Sequence, residues 1–167
     1  MTEWVVLVTD KDEAIGEMEK MQAHKMGLLH RAFSILILNH NHEMLIHQRA
    51  ANKYHSKGLW TNACCGHPRP GEDIYVAAQR RLMEEMGFSC NLEYIHSFTY
   101  QTILENSMIE HEVDHVFKGF YQGEITPNPD EVAAFKWMNI DSLKQEIKTQ
   151  PHKFTYWFKE IMLHEFF

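Results

Sequence analysis

Hydrophobic and polar positions divide the chain into short blocks. The apolar run over Trp4–Thr9 predicts a first strand, and the β-rich run Ala32–Leu38 predicts a buried one. Asn39-His40-Asn41-His42 is turn chemistry, and Met44–Gln48 reads as the strand that follows, so the pair predicts a hairpin with a four-residue loop. The mixed polar stretch Glu13–His24 predicts a turn of helix. Leu59–Cys65 predicts a short strand running into a loop made rigid by Pro68 and Pro70 and bracketed by Gly66 and Gly71. Ile74, Ala78, Leu82 and Met86 recur every four residues, which predicts a helix over Ile74–Met86, capped by Asp73 and Gly87. Strands are expected over Leu92–Gln101, Ile109–Tyr121 and Ala134–Met138, with a loop over Thr102–Met108. Helices are expected over Asp141–Lys148 and, after Pro151, over the aromatic stretch Phe154–Phe166. No repeat or low-complexity linker interrupts the pattern. One α+β domain with mixed strands, spanning residues 1–167, is the expectation.

Charge changes the picture in one respect. The formal net charge is −7, so the chain is a poor general binder of nucleic acid or of an anionic membrane surface. Any phosphate must be held by a local basic cluster or by a metal. No apolar run approaches the ~20 residues of a membrane span. Met1-Thr2-Glu3-Trp4 is not basic and lacks signal-peptide anatomy. The cysteines are Cys64, Cys65 and Cys90, an odd set with no Cys-x-x-Cys pair, which argues against a disulfide framework and for a cytoplasmic setting. The 12 histidines are unusual for this length; His40, His42, His152 and His164 lie in turn-like or terminal stretches and read as surface residues.

Four constellations carry chemistry. Gly66, Glu72, Arg80-Arg81-Leu82, Glu84-Glu85 and Gly87-Phe88 follow a spacing that resembles the Nudix box, a loop–helix–loop that binds Mg²⁺ and a diphosphate. Mg²⁺ takes hard oxygen ligands and shares them with substrate phosphates. By spacing alone, a solvated helix with Arg80–Glu84 and Arg81–Glu85 ion pairs fits equally well. The hydrolases of that family carry a carboxylate where this chain has Arg81, which favours holding a diphosphate over cutting it. Secondly, Cys65 abuts a glycine turn and His67, which makes it a candidate reactive thiol; Cys90 and Cys64 read as small buried hydrophobes. Thirdly, in a strand Glu110 and Glu112 share one face at roughly 7 Å, although a solvent-facing strand explains them as well. Fourthly, His24, His30 and His67 with two Glu would form an N/O donor set suited to Mn²⁺, Mg²⁺ or Zn²⁺.

Taken over nearly its whole length, the chain resembles the type 1 isopentenyl diphosphate isomerases of the Nudix superfamily. The resemblance rests on Glu19-Lys20 with His24, His30-Arg31-Ala32-Phe33-Ser34, Gln48-Arg49-Ala50, the run Leu59–Pro68, the box helix, Ile109–Val113, Asp130-Glu131-Val132 and the Trp157 helix. It implies a Nudix fold, with a mixed β-sheet sandwiched by helices. It also implies that His24, His30, His67, Glu110 and Glu112 ligate a metal, and that Cys65 and Glu112 are the catalytic pair, assisted by Tyr100. Glu85 corresponds to the ligand of a Mg²⁺ that carries the diphosphate. Lys20, Arg49, Lys53 and Arg81 correspond to the basic groups around that diphosphate, and Trp157 to an aromatic cover over the hydrocarbon end. The stretch from Lys53 to Lys57 departs from the expected form. The implied reaction is the reversible 1,3-allylic proton shift between isopentenyl and dimethylallyl diphosphate, in a monomer or weak homodimer. The alternatives are a Nudix pyrophosphohydrolase and a metal-binding module without turnover.

Overall fold

The structure, a computed structural model, describes residues 2–164. Its axis is the strand with the densest apolar run: β3 (His30–Leu38) is buried at every position except Arg31. Before it come β1 (Trp4–Val8), β2 (Ala14–Glu19) and the short helix α1 (Lys20–Met26). After it come β4 (Glu43–Arg49), β5 (Trp60–Thr61), β6 (Cys64–Gly66) and α2 (Ile74–Met86). The chain continues through β7 (Leu92–Ile103), β8 (Ile109–Phe120), β9 (Val132–Asn139), α3 (Ile140–Thr149) and α4 (Tyr156–Met162).

β3 pairs in parallel with β8 along its whole length, from His30 opposite Glu112 to Leu38 opposite Phe120. Its other edge is shared out. Leu7 of β1 meets His30, β6 covers Phe33–Ile35, and Met44 of β4 meets Leu38. β8 in turn pairs antiparallel with β7, and β4 pairs antiparallel with β9. The result is a mixed sheet with a core on each face, because alternate strand residues point to opposite sides. Phe33, Ile35, Ile37 and Leu45 pack under Ala77, Ala78, Leu82 and Met86 of α2. Leu36, Leu38, Met44 and Ile46 pack against Ile140 and Leu143 of α3 and Trp157, Phe158 and Ile161 of α4. Helices therefore cover both faces, which is why β3 reads as a continuous apolar run rather than an alternating one.

α2 begins and ends as its sequence predicts. Asp73 accepts hydrogen bonds from the backbone N–H groups of Tyr75 and Val76, and Gly87 closes the helix at φ 76°. Three expectations need correction. The stretch Glu13–His24 holds a strand, β2, as well as the helix α1; β2 is an edge strand paired only with β1, and its exposed side chains give no apolar periodicity to read. The β3–β4 pair makes one rung, Leu38 with Met44, because β4 leaves β3 to pair with β9 from Glu43–Asn139 to Arg49–Val132. The aromatic helix is shorter than predicted: Pro151–Lys153 forms a 3₁₀ turn and α4 runs only over Tyr156–Met162. The predicted continuation over residues 165–166 lies outside the described residues.

Candidate active site

Strand register assembles the site. His30 on β3 lies beside Glu112 on β8, and Tyr100 on β7 lies opposite Glu112, so three neighbouring strands present these side chains together. Cys65 of β6 sits opposite Ser34 of β3, two residues along the same face as Ala32 and His30. A buried polar bracket holds β6 in place. The Asn62 amide donates to the carbonyls of Ile35 (3.1 Å) and Cys64 (2.7 Å). Thr61 Oγ1 donates to Asn62 Oδ1 (2.9 Å) and lies 2.9 Å from Thr155 Oγ1, at the entry to α4. The Thr-Asn part of the run before Cys65 thus ties the thiol strand to the helix that bears Trp157.

His24, His30, His67 and Glu112 bring one donor atom each into a cluster spanning no more than 4.8 Å. Glu112 Oε1 lies 3.0 Å from His67 Nε2, 3.2 Å from His30 Nε2 and 3.9 Å from His24 Nε2. His24 Nδ1 contacts the Lys20 carbonyl at 2.7 Å and His30 Nδ1 the Leu28 carbonyl at 2.9 Å. A carbonyl only accepts, so each Nδ1 carries the proton and each inward Nε2 of a neutral ring presents a lone pair. Burial pushes His24 down to about 4, so that ring is neutral. His24 Nε2 and Glu110 Oε2 are buried with no hydrogen-bond partner. Lone pairs converging on a carboxylate, with unpartnered donors beside them, are the environment of a divalent cation, and the residues fit one.

Glu110 and Glu112 differ in electrostatics. Tyr100 Oη hydrogen-bonds both, at 2.9 Å to Glu112 Oε2. Burial and then the neighbouring Glu112 charge raise the Glu110 carboxyl well above its usual range. Burial opposes the charge of Glu112 too, and only His30 and His67 rings carrying a proton on Nε2 would hold that carboxylate down, an arrangement that competes with lone pairs turned to a cation. Burial, followed by the charge of Glu85, pushes the Cys65 thiol up. The resting form of Cys65 is therefore the thiol.

A cavity of about 660 Å³ gathers these groups with basic ones. Cys65, Tyr100, Glu110, Glu112, His67 and Trp157 line it together with Lys20, Arg49, Lys53, Arg81 and Glu85. Arg81 bonds Glu84 (2.6 Å) and Glu85 and reaches Glu131 (3.4 Å), while Lys53 bonds Glu131 at 2.6 Å. Lys20 pairs with Glu3 and lies 4.8 Å above the Tyr54 ring. The Arg49 guanidinium lies 5.3 Å over the Trp157 ring and donates to the His55 carbonyl at 3.1 Å. Burial raises the Glu85 carboxyl, and Arg81 opposes that rise.

Every candidate catalytic, metal-ligating or diphosphate-binding residue lies on this cavity or in the donor cluster beside it. Glu110 falls outside the group of His24, His30, His67 and Glu112 and shares only His24 with it, in a second group with His55. Arg80, expected to pair with Glu84, makes its shorter bonds to Glu72 (2.7 and 2.9 Å) and only 3.4 Å contacts with Glu84. Sequence reasoning missed His55, Glu131 and Asp114. Asp114 continues the Glu110–Glu112 alternation and is buried with Ser34 donating to it at 2.8 Å; that period of two was the available signal. His40, His42 and His152 are exposed as expected, but His164 is half-buried, with its ring 4.9 Å from that of His96.

Comparison with known proteins matches residues 28–158 to the NUDIX domain. The isopentenyl-diphosphate Delta-isomerase of Serratia proteamaculans is 50% identical over 97% of this chain and 90% of that protein. The enzyme of the same name from Burkholderia multivorans is 48% identical over 95% of this chain and 90% of its own.

The chain belongs to the NUDIX family, among its isopentenyl-diphosphate Delta-isomerases.

It is accordingly an isomerase that uses a divalent metal. DR0079 from Deinococcus radiodurans shares the fold at TM-score 0.81 and 19% identity, covering 96% of this chain and 98% of its own. A MutT NUDIX hydrolase from Burkholderia pseudomallei shares it at 0.65 and 18%, covering 81% and 96%. At such identities only the fold is common. In this isomerase, Arg81 and its three carboxylate partners occupy the helix end of the NUDIX motif. Among the described residues no helix is long and apolar enough to cross a membrane.

Proposed function

We propose that this cavity carries out the reversible conversion of isopentenyl diphosphate to dimethylallyl diphosphate, with Cys65 and Glu112 moving the protons. The observation that carries the reading is that Cys65 and the Tyr100–Glu112 pair line the same cavity as Lys20, Arg49, Lys53 and Arg81. The diphosphate serves as a handle: Lys20, Arg49, Lys53 and Arg81 bind it, and that binding energy positions an alkene that has no polar group of its own. Glu85 would share a Mg²⁺ with the diphosphate.

Cys65 and Glu112 serve as acid and base for the two proton transfers, and their roles exchange between the two directions of the reaction. In one direction Cys65 is the acid. The Cys65 S–H bond breaks as its proton adds to the terminal alkene carbon, leaving a thiolate and a tertiary carbocation. Glu112 then takes a proton from the carbon on the far side of the cationic centre, and those C–H electrons become the new double bond. Proton exchange with solvent restores the thiol and the carboxylate, with Tyr100 hydrogen-bonded to the carboxylate throughout. Trp157 excludes water that would trap the cation, and its ring face stabilises the charge by about 2 kcal/mol when desolvated. His24, His30, His67, Glu110 and Glu112 would hold Mn²⁺, Mg²⁺ or Zn²⁺, and when bound the ion supplies acidity to the carboxylates that share it. The two isoprenoid diphosphates are the partners proposed, for a monomer or weak homodimer in the cytoplasm.

Proton NMR of the metal-loaded enzyme with isopentenyl diphosphate and Mg²⁺ in D₂O tests the reading. The expected result is dimethylallyl diphosphate with deuterium at the shifted positions. Cys65→Ala should lose on the order of 10³-fold in turnover. Near-full turnover by that variant would remove Cys65 from the mechanism. Phosphate release from a nucleoside diphosphate derivative would favour the hydrolase instead.

A further inference from the structure

His55 has no role in the reaction as derived above, yet its ring is fixed from several sides. It is buried, with 4% of its surface exposed. The Tyr54 ring stands perpendicular to it at 4.4 Å and the Trp157 ring perpendicular at 5.8 Å. Its Nδ1 lies 3.1 Å from Ser56 Oγ, and its carbonyl accepts from Arg49. These contacts leave Nε2 directed at Glu110 Oε2, 3.5 Å away.

His55 Nε2, His24 Nε2 and Glu110 Oε2 lie within 4.8 Å of one another. His24 Nε2 and Glu110 Oε2 are both buried and have no hydrogen-bond partner. Buried polar atoms left in that condition are costly unless a cation joins them. His24 Nε2 also belongs to the cluster with His30, His67 and Glu112, so the two groups meet at a shared donor. We propose that His55 Nε2 is a further ligand of this metal centre, giving it a donor set of four histidines and two glutamates. The inference rests on the metal centre proposed above.

Two consequences follow from the donor count. Six protein donors would leave little room on the ion for the substrate, so the ion would act through the carboxylates that share it. A nitrogen-rich set also shifts preference from Mg²⁺ toward Mn²⁺ or Zn²⁺, because Mg²⁺ prefers oxygen ligands and retained water.

Pulsed electron paramagnetic resonance counts imidazole nitrogens bound to Mn²⁺ without reference to activity. The full chain would be stripped with chelator and reloaded with one equivalent of Mn²⁺. Four bound imidazoles are expected in the wild type and in His40→Gln, whose exposed ring is far from any ligand role. Three are expected in His55→Phe, which keeps the aromatic bulk beside Tyr54 and Trp157, and in His55→Gln, with Mn²⁺ affinity reduced about 10-fold or more. Three imidazoles in the wild type, or a count unchanged in folded His55→Phe, overturns the proposal. The wild-type count decides the matter if the variants do not fold. A chain that binds Mn²⁺ through three imidazoles and still isomerises substrate removes His55 alone. A chain that binds no Mn²⁺ removes the metal reading with it.

Discussion

Arg81 stands among carboxylates that line the cavity. Its guanidinium ties Glu84, Glu85 and Glu131 together and leaves the end of α2 less negative. Its identity was readable from the box spacing, but Glu131 was not, because the partner arrives from 50 residues away. His47 makes a separate point. It is buried, with Nδ1 3.1 Å from the Ala63 carbonyl. Burial, and then the charge of Arg49, lower its pKa from 6.5 to about 4. Between those values the unfolded chain binds a proton that the folded chain refuses, so stability rises with pH across that window. The contribution is complete above 6.5 and is lost as pH falls toward 4. Denaturant unfolding should show the wild type losing roughly 1 kcal/mol per pH unit relative to His47→Gln across this window. Parallel pH profiles for the two proteins would discard this account of His47.

Helix α2 was legible from end to end because its signals are local. Apolar spacing, the Asp73 cap and the Gly87 stop all lie within the segment itself. The two ends differ in what they hold. Asp73→Ala removes two backbone bonds and should cost about 1 kcal/mol in unfolding free energy. A Cβ at Gly87 would lie 2.2 Å from the Thr126 carbonyl oxygen, at a φ of +76°. Gly87→Ala should therefore cost more than Asp73→Ala, and it should raise KM for the diphosphate substrate. The reason is that Asn128 N–H donates to the Glu85 carbonyl at 2.8 Å, so the displaced loop is the one that delivers Glu131. A KM unchanged in folded Gly87→Ala would separate the loop from substrate binding. β2 is the opposite case: its residues take strand form only because β1 offers them an edge.

Across the whole molecule, the donor cluster ties α1 and the loop after β6 to the paired strands β3 and β8. α1 supplies His24, β3 supplies His30, the loop after β6 supplies His67, and β8 supplies Glu110 and Glu112. An ion that binds only the folded chain stabilises it by mass action, by about 2.7 kcal/mol at a free concentration of 100 Kd. Chelation should lower the melting temperature, and Mn²⁺ should restore it. Hydrogen exchange should speed up first in α1, a seven-residue helix that depends on tertiary contacts for its persistence. Equal melting temperatures with and without metal would show that the cluster is stable without an ion.

The sequence by itself determined the apolar axis β3, the capped helix α2, and the box and Trp-Thr-Asn runs that carry the family resemblance. Each is encoded by neighbours within a few residues, through helix or strand periodicity and backbone chemistry. Only the tertiary structure decided that β4 leaves β3 for β9, and that His55 turns toward Glu110 beside His24. It also decided that Cys65 is buried close enough to Glu85 for its thiol to be pushed up. Strand partners depend on which edge is free once the cores have packed. Protonation depends on burial and on charges brought from distant parts of the chain. Neither is present in any local stretch of sequence.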